Sequence, residues 1–170
     1  MNRKVFWFTG LSGAGKTTLS KALTVTLEMW HASVVMIDGD EFRKQHCQDL
    51  GFSIEDRHEN LMRMSDYALK LSEQYQYVVV AAISPLHSIR SAVREKLGTL
   101  YTEIFVDTPL SVCERRDVKG LYAKARAGII DEFTGVSSLY EPPLSADIKI
   151  SYPTTIEQAL NKILQSRMAA

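Results

Sequence analysis

The stretch that decides the fold is Gly10-Leu11-Ser12-Gly13-Ala14-Gly15-Lys16-Thr17, which fits the phosphate-binding pattern of Gly, four residues and Gly-Lys-Ser/Thr. It follows an apolar run, Val5–Thr9, and leads into a segment of helical periodicity that begins near Leu19. Glycines allow successive backbone N–H groups to converge on phosphate oxygens, and the positive end of the following helix adds to that field. In this strand–loop–helix context the motif predicts a nucleoside-triphosphate site.

This loop supplies most of the predicted ATP contacts. The Lys16 ammonium would bridge the β and γ phosphates, and the Thr17 hydroxyl would reach Mg²⁺, the expected cofactor. The sequence contains no Asn-Lys-x-Asp guanine signature, which disfavours a switch GTPase. The loop-derived ATP-binding residues are Gly10, Leu11, Ser12, Gly13, Ala14, Gly15, Lys16, Thr17 and Thr18.

Short apolar runs alternate with longer segments of helical period along the chain. Near-continuous apolar character is typical of parallel strands that helices cover on both faces. The alternation predicts one α/β domain over residues 1–170, a three-layer sandwich with a mainly parallel sheet, and a lid-like loop at about 119–143. The predicted strands are Val5–Thr9, Val34–Ile37, Tyr77–Ile83, Ile104–Val106 and Ile148–Ile150; the predicted helices cover Leu19–Trp30, Leu61–Tyr75, Leu86–Leu97, Leu110–Val118 and Thr155–Met168.

Composition excludes several classes of protein. The 170 residues include 20 Lys+Arg and 20 Asp+Glu, with 45% apolar and 24% charged residues, which is typical of a globular domain and not of a disordered or fibrous chain. Zero net charge disfavours a nucleic-acid or membrane partner. Cys47 and Cys113 fit neither a disulfide framework nor a zinc pattern, so reduced cysteines and a cytoplasmic location are expected.

Two carboxylates follow the second predicted strand, in Asp38-Gly39-Asp40. Groups at the carboxyl ends of strands in open α/β sheets project into the ligand crevice. Carboxylates beside a triphosphate repel it unless Mg²⁺ intervenes or an acceptor hydroxyl donates to them, and either role suits phosphoryl transfer. The alternative is a solvated Asp-Gly turn.

Asp107 has two interpretations, because it ends an apolar run and also precedes Thr108-Pro109. A metal-binding Asp at the end of a strand is typical of nucleotide hydrolases. A cap residue followed by Pro at the first helical position explains it equally well, and we favour that structural interpretation.

Arginines and loop aromatics recur in the region that should face the crevice. Arg43, Arg57 and Arg63 are suited to bidentate anion recognition, although arginines on helices are often simply solvated. Phe52 and Phe133 could stack on a flat base or pack in the core. Between Lys119 and Gly128 the chain carries no acid, which favours anion contact by that basic run over an exposed helix face.

These residues together resemble the adenylylsulfate (APS) kinase family, from about Phe6 to Ile150. The matching stretches are Trp7–Gly13, Asp38-Gly39-Asp40, Asp49–Ser53, Glu55-Asp56-Arg57, Ile83-Ser84-Pro85, Phe105–Pro109, Lys119–Tyr122, Lys124–Gly128 and Phe133-Thr134-Gly135. The resemblance implies a P-loop nucleotide-kinase fold and transfer of the ATP γ-phosphate to the 3′-hydroxyl of adenylylsulfate. It also suggests a homodimer.

The resemblance assigns roles residue by residue. Lys16 would act on the phosphates, Asp38 would lie at the acceptor hydroxyl and the metal with Asp40 in support, and Arg116 would lie against the ATP base. Ser84 matches a position described as a phosphoserine, but in-line transfer needs no phosphoenzyme, so Ser84 is kept as a catalytic candidate or a simple substrate contact. The implied acceptor-binding residues are Arg43, Phe52, Arg57, Asn60, Ile83, Ser84, Lys119 and Phe133.

Several positions depart from the family pattern, and they leave the acceptor open. The chain has Met62 where the family usually has Arg, Ala82 where Phe is common, and His87 where a basic residue is usual. A related enzyme phosphorylating another nucleotide hydroxyl, such as that of cytidine diphosphoramidate, is therefore the first alternative. A nucleotide-binding regulator without catalysis is the second, although Lys16, Thr17, Asp38 and Arg57 are all present.

Overall fold

The structure, a computed structural model, describes residues 3–168, which form five strands and seven α-helices around one parallel sheet. The strand order is β2-β3-β1-β4-β5, and every neighbouring pair is parallel. The strands are β1 Lys4–Thr9, β2 Val34–Asp38, β3 Tyr77–Ala81, β4 Tyr101–Asp107 and β5 Ile148–Ser151. The helices are α1 Lys16–Met29, α2 Gly39–His46, α3 Ile54–Leu71, α4 His87–Leu97, α5 Leu110–Arg116, α6 Leu121–Arg126 and α7 Ile156–Met168.

The sheet separates two apolar cores, and alternate residues of β1 divide between them. Phe6 and Phe8 belong to the core that includes residues of α1 and α7. Val5 and Trp7 belong to the core that includes residues of α2, α3 and α4. Burial on both faces explains why β1 and β3 are continuous apolar runs in the sequence. The predicted three-layer α/β sandwich is confirmed.

Several differences from the sequence prediction lie at the carboxyl edge of the sheet. Strand β3 ends at Ala81 and not at Ile83, so residues 82–86 form a loop before α4. Helix α2 was not predicted at all. The irregular stretch predicted as a lid-like loop contains a short helix, α6, and a bridge between Thr134 and Ser138. Elsewhere, α3 covers Ile54–Leu71 and not Leu61–Tyr75, and β4 begins at Tyr101 and not at Ile104.

The interpretation of Asp107 as a helix cap is wrong. Helix α5 begins at Leu110 with Pro109 as its cap residue, and no side-chain cap bond is made. Asp107 instead continues β4 opposite Ser151, and its carboxylate lies 2.8 Å from Lys149 Nζ. Pairing with β5 extends the strand past the point where the local sequence predicts its end.

Cys47 and Cys113 are both buried and not bonded in a disulfide. Between residues 3 and 168, none of the helices has the length and apolar character that crossing a membrane requires.

Candidate active site

A cavity of about 330 Å³ lies at the carboxyl ends of β1, β2 and β3. It brings together residues that are far apart in the sequence, as predicted for the crevice of an open α/β sheet. The predicted site residues that line it are Ser12, Gly13, Gly15, Lys16, Thr17, Thr18, Asp38, Asp40, Arg43, Phe52, Arg57, Asn60, Ile83, Ser84, Arg116 and Lys119. Gly10, Leu11, Ala14 and Phe133 are not among the lining residues.

The phosphate loop needs glycine for two different reasons. Gly15 has φ 108°, a left-handed conformation that side chains disfavour, and it allows α1 to start directly at Lys16. Gly10 is packed so closely on β4 that a Cβ atom there would lie 2.7 Å from the Val106 carbonyl oxygen. Behind the loop, the Thr108 hydroxyl donates to the Ala14 carbonyl at 2.8 Å. Gly10 and Ala14 therefore shape the loop from behind.

Lys16 is buried at the floor of the cavity. Its Nζ donates to the carbonyl oxygens of Gly10 at 2.9 Å and Leu11 at 2.8 Å. Loss of solvent lowers the pKa of Lys16 to about 8, and the nearby Asp40 carboxylate partly opposes that shift. A phosphate oxygen would supply the negative charge that this buried ammonium lacks.

Asp38 is held by contacts to both sides of its carboxylate. One oxygen, Oδ1, accepts from the backbone N–H groups of Asp40 at 3.0 Å and Glu41 at 3.3 Å, which caps α2. The other, Oδ2, accepts from the Thr17 hydroxyl at 3.1 Å. The carboxylate is therefore fixed beside the phosphate loop, and the alternative of a solvated Asp-Gly turn is wrong.

Two basic side chains close the cavity from the α5–α6 side. Lys119 Nζ pairs with the Asp40 carboxylate, and both side chains are exposed. Arg116 donates to the Gly13 carbonyl at 3.4 Å, and its guanidinium lies 5.4 Å from the centre of the Tyr152 ring. The planar Arg116 group thus lies between the phosphate loop and Tyr152, the residue that follows β5.

Arg43, Phe52 and Arg57 form the opposite wall. The Arg43 guanidinium lies 4.4 Å from the centre of the exposed Phe52 ring, and the Arg57 guanidinium 5.9 Å from it. Arg57 Nε donates to the Phe52 carbonyl at 2.8 Å, and Nη1 to the Thr134 hydroxyl at 2.6 Å. Partial burial, and then the neighbouring Arg43, lower the pKa of Arg57. Two close cations beside an aromatic ring are suited to an anionic, aromatic ligand.

Asn60 and Ser84 add buried polar groups to this wall. The Asn60 side-chain oxygen is buried and makes no hydrogen bond to the residues that the structure describes. Ser84 is almost fully buried, has φ 50°, and its hydroxyl oxygen accepts from Trp7 Nε1 at 2.9 Å. An unsatisfied buried oxygen at a cavity wall indicates a place for a ligand donor.

Phe133 lies elsewhere in this structure. Its ring meets the Tyr122 ring edge-on, with centroids 5.0 Å apart, and it packs against the core that includes residues of α1 and α7. The implied stacking of one base between Phe52 and Phe133 would require Phe133 to move. That stacking stays a prediction.

Two further basic residues of the sequence prediction, Arg63 and Arg126, pair with acidic side chains. Arg63 pairs with Asp49 at 2.8 Å and with Glu59, and is not a lining residue. Arg126 Nη2 lies 2.6 Å from Glu114. The run Lys119–Arg126 has no acid within it, but Lys119 and Arg126 pair with Asp40 and Glu114 of other elements. Anion contact by this run stays a prediction.

Sequence reasoning missed several residues that shape the site. Trp7 holds Ser84, Thr134 holds Arg57, and buried Arg90 donates to the Ser84 carbonyl at 2.8 Å. Trp7 and Thr134 lie inside stretches that match the family, so those stretches were the available signal. Arg90 sits in an ordinary helical pattern and gave no signal of its own.

The fold and the site define a class: a parallel α/β kinase in which a phosphate loop faces a cationic and aromatic wall across one cavity. The solved structure of a gluconokinase from Sinorhizobium meliloti shares the fold. It superposes with a TM-score of 0.63 at 16% identity, covering 99% of this chain and 93% of that one. The family model for adenylylsulphate kinase matches residues 2–151. The chain belongs to the adenylylsulphate kinase family.

Individual relatives are similar over nearly the whole chain. An adenylyl-sulfate kinase of Synechococcus is 47% identical over 161 residues, which are 94% of this chain and 91% of that protein. One from Escherichia coli is 45% identical, over 94% of this chain and 80% of that protein. The APS kinase CysC of Mycobacterium tuberculosis, solved with AMPPNP and APS, superposes with a TM-score of 0.93 at 41% identity, covering 98% of each chain.

Proposed function

We propose that this protein is an ATP-dependent kinase that phosphorylates the 3′-hydroxyl of adenylylsulfate, giving 3′-phosphoadenylylsulfate. The observation that carries the proposal is the position of Asp38, which joins the phosphate loop to the Arg43–Phe52–Arg57 wall within one cavity. Family membership and the similar M. tuberculosis enzyme, solved with APS and an ATP analogue, support adenylylsulfate as the acceptor.

The residues present fit a magnesium ion that arrives with ATP. The Thr17 hydroxyl and an Asp38 carboxylate oxygen lie 3.1 Å apart, and Mg²⁺ prefers oxygen ligands while keeping waters and substrate phosphates. Among residues 3–168 no group of three or more His, Cys, Asp and Glu could hold a metal by itself. Thr17 and Asp38 would hold the ion, which would neutralise charge on the transferring phosphate.

The chain's own groups would then position and stabilise the reacting atoms. Lys16 places a desolvated positive charge at the phosphates, where a low local dielectric strengthens it. Asp38 would accept a hydrogen bond from the acceptor hydroxyl and orient it for in-line attack. Asp40 supports this role through its backbone N–H, which holds Asp38 Oδ1. Ser84 serves as a substrate contact, because Trp7 already fixes its hydroxyl.

The segment 119–143 would act as a lid within the single kinase domain. Its first residue, Lys119, pairs with Asp40, and Arg57 Nη2 donates to the Glu132 carbonyl in its second half. Both contacts use groups that line the cavity, so an anionic substrate would compete for them. Lys119 would exchange Asp40 for phosphate when the lid closes, and Phe133 would approach the acceptor base.

An acceptor comparison tests the proposal. Purified protein with ATP and Mg²⁺ is assayed for ADP release with adenylylsulfate and, in parallel, with cytidine diphosphoramidate. Release with adenylylsulfate alone, together with a product bearing a 3′-phosphate, is the expected result. ADP release only with cytidine diphosphoramidate would identify that nucleotide as the acceptor. No ADP release with either acceptor, despite ATP binding, would favour a nucleotide-binding regulator. The homodimer and the cytoplasmic location stay predictions.

A further inference from the structure

The loop between β3 and α4 forms a wall of the cavity and is joined to the end of β1. The Ala82 N–H donates to the Phe8 carbonyl at 3.0 Å, and the Gly10 N–H donates to the Ile83 carbonyl at 3.5 Å. Ala82, Ile83, Ser84 and Pro85 all line the cavity. Ser84 adopts φ 50°, a conformation that residues other than glycine rarely adopt and that surrounding contacts must maintain. The shape of this wall therefore depends on whatever holds the Ser84 backbone.

Arg90 makes the shorter of two hydrogen bonds to the Ser84 carbonyl; the other, from the Thr9 hydroxyl, is 3.5 Å long. Arg90 Nη1 donates to the Ser84 carbonyl at 2.8 Å, and its Nη2 donates to the Glu141 carbonyl at 2.7 Å. Nη2 also lies 2.8 Å from His87 Nδ1, and Nε lies 3.4 Å from Glu103. Arg90 is almost fully buried, so these contacts are shielded from water. One planar guanidinium thus contacts the cavity wall, β4 and the chain just before β5.

Glu141 joins the end of the lid to the same loop. Its backbone N–H donates to the Pro85 carbonyl at 2.8 Å, and its Oε2 accepts from the His87 backbone N–H at 2.6 Å. With the Arg90 contact to its carbonyl, Glu141 has three hydrogen bonds to the region between Pro85 and Arg90. The lid therefore ends against the loop that carries Ser84.

We infer that Arg90 is a positioning residue for acceptor binding: it fixes the Ser84 wall and the Glu141 end of the lid in one geometry. The inference deepens the proposed function and rests on it. Arg90 is not a lining residue and touches neither the phosphate loop nor Asp38, so its effect should fall on the acceptor and spare ATP.

A purely structural role for Arg90 would be to neutralise buried Glu103. The two roles separate with Arg90→Lys, since an ammonium keeps a charge near Glu103 but cannot span Ser84, Glu141 and Glu103 in a fixed plane. Arg94 offers a matched control one turn further along α4. It pairs with Asp147 at 2.7 Å and lies 3.8 Å from Glu103, but it has no contact with Ser84 or Glu141 among residues 3–168.

The experiment measures both KM values and kcat for wild type, R90K and R94K. For R90K we expect the acceptor KM to rise about tenfold while the ATP KM stays within twofold, and for R94K we expect both within twofold. Equal KM values for R90K and wild type would show that a charge near Glu103 is sufficient and would overturn the inference. A parallel rise in both KM values would overturn it too, because that indicates general loosening.

A second pair of variants covers the case in which R90K does not fold. Glu141→Ala removes the acceptor for the His87 N–H, whereas Glu141→Gln keeps one. We expect a selective rise of about threefold in acceptor KM for the alanine variant and little for glutamine; no selective rise would overturn the inference. If wild type does not phosphorylate adenylylsulfate, the proposed function fails, and the same ratios are measured with the nucleotide that it accepts.

Discussion

The two sides of the cavity are built differently. On the phosphate side, buried Lys16 bonds to two backbone carbonyls of its own loop, and Asp38 bonds to Thr17 and to the first turn of α2. On the acceptor side, exposed or half-buried cations are held by groups from distant segments, as Arg57 is by Thr134 and Lys119 is by Asp40.

The difference shows which part of the site is ready before substrate binds. The phosphate side is fixed mainly by contacts within the loop itself and by the Asp38 cap of α2. The acceptor side has local contacts too, such as that of Arg57 with the Phe52 carbonyl, but it also depends on side-chain contacts across 77 to 79 residues of sequence, which a bound anion can exchange. We therefore expect variants on the first side to change turnover or ATP binding, and those on the second to change acceptor affinity.

Asp38→Asn should have the largest effect. Asparagine keeps an oxygen that can cap α2, so the fold should persist, but it removes the charge proposed to meet Mg²⁺ and the acceptor hydroxyl. We expect kcat to fall by roughly 10²- to 10⁴-fold, the range typical of a lost proton-accepting or orienting group, while ATP binding changes little. Steady-state rates and ATP titration measure the two quantities.

Asp107→Asn is the matched control for Asp38→Asn. Asp107 also ends a strand of the same sheet, but it pairs with Lys149 and does not line the cavity. The kcat of the Asp107→Asn variant should stay within about twofold of the wild-type value. A comparable loss in both variants would contradict the assignment of Asp38 and would revive Asp107 as the metal-binding carboxylate.

The pH dependence of ATP binding should reveal the buried charge of Lys16 on the phosphate side of the cavity. Burial lowers the Lys16 pKa from 10.5 to about 8, so the free protein loses this proton as the pH rises through 8. Phosphates favour the protonated form, so ATP affinity should be constant below pH 8. Above it, affinity should fall by up to about tenfold per pH unit until the pKa of the bound form is reached.

Lys16→Arg provides the comparison for this profile. A guanidinium stays charged throughout the range, so the variant should bind ATP more weakly than wild type at pH 7 but with little pH dependence. Calorimetric titration at pH 7, 8, 9 and 9.5 measures both. A flat wild-type profile would mean that Lys16 does not contribute its charge to phosphate binding.

The local structure of the phosphate side follows largely from the sequence, because its signals are local. Strand, glycines and helix are consecutive, and Lys16 and Thr17 lie where the pattern implies. Helix α2 was also predictable in principle: Asp38 followed by Glu41 is a helix-start signal, and Arg43 lies near the other end. Apolar periodicity does not reveal this helix, because Phe42 is its only buried residue.

The acceptor side could be predicted only through resemblance. Neither the Arg57–Thr134 contact nor the partners of Lys119 and Arg126 follow from any local pattern, since each pair is formed by the fold. The acid-free run Lys119–Arg126 illustrates this, because Lys119 pairs with Asp40 and Arg126 with Glu114, both from other elements. The interpretation of Asp107 as a helix cap is wrong for the same reason. The pairing of β4 with β5 is formed by the fold and does not follow from the local sequence Asp107-Thr108-Pro109.

The smallest expected effect comes from a pair of buried threonines, one on each side of the cavity. Thr134→Val removes the hydroxyl that accepts from Arg57 at 2.6 Å, and Thr108→Val removes the hydroxyl that donates to the Ala14 carbonyl at 2.8 Å. Both are nearly isosteric and both residues are buried, so the losses in stability should be similar, about 1 kcal/mol for one hydrogen bond.

The two variants should differ in which substrate they affect. Thr134→Val frees one arm of a guanidinium at the acceptor wall and should raise the acceptor KM about threefold with the ATP KM unchanged. Thr108→Val loosens the support of the phosphate loop, so it should raise the ATP KM about threefold and leave the acceptor KM unchanged. KM measurements for both substrates at one pH decide this. Equal changes in both KM values for either variant would mean that the cavity responds as one unit, and that the two sides are not independently supported.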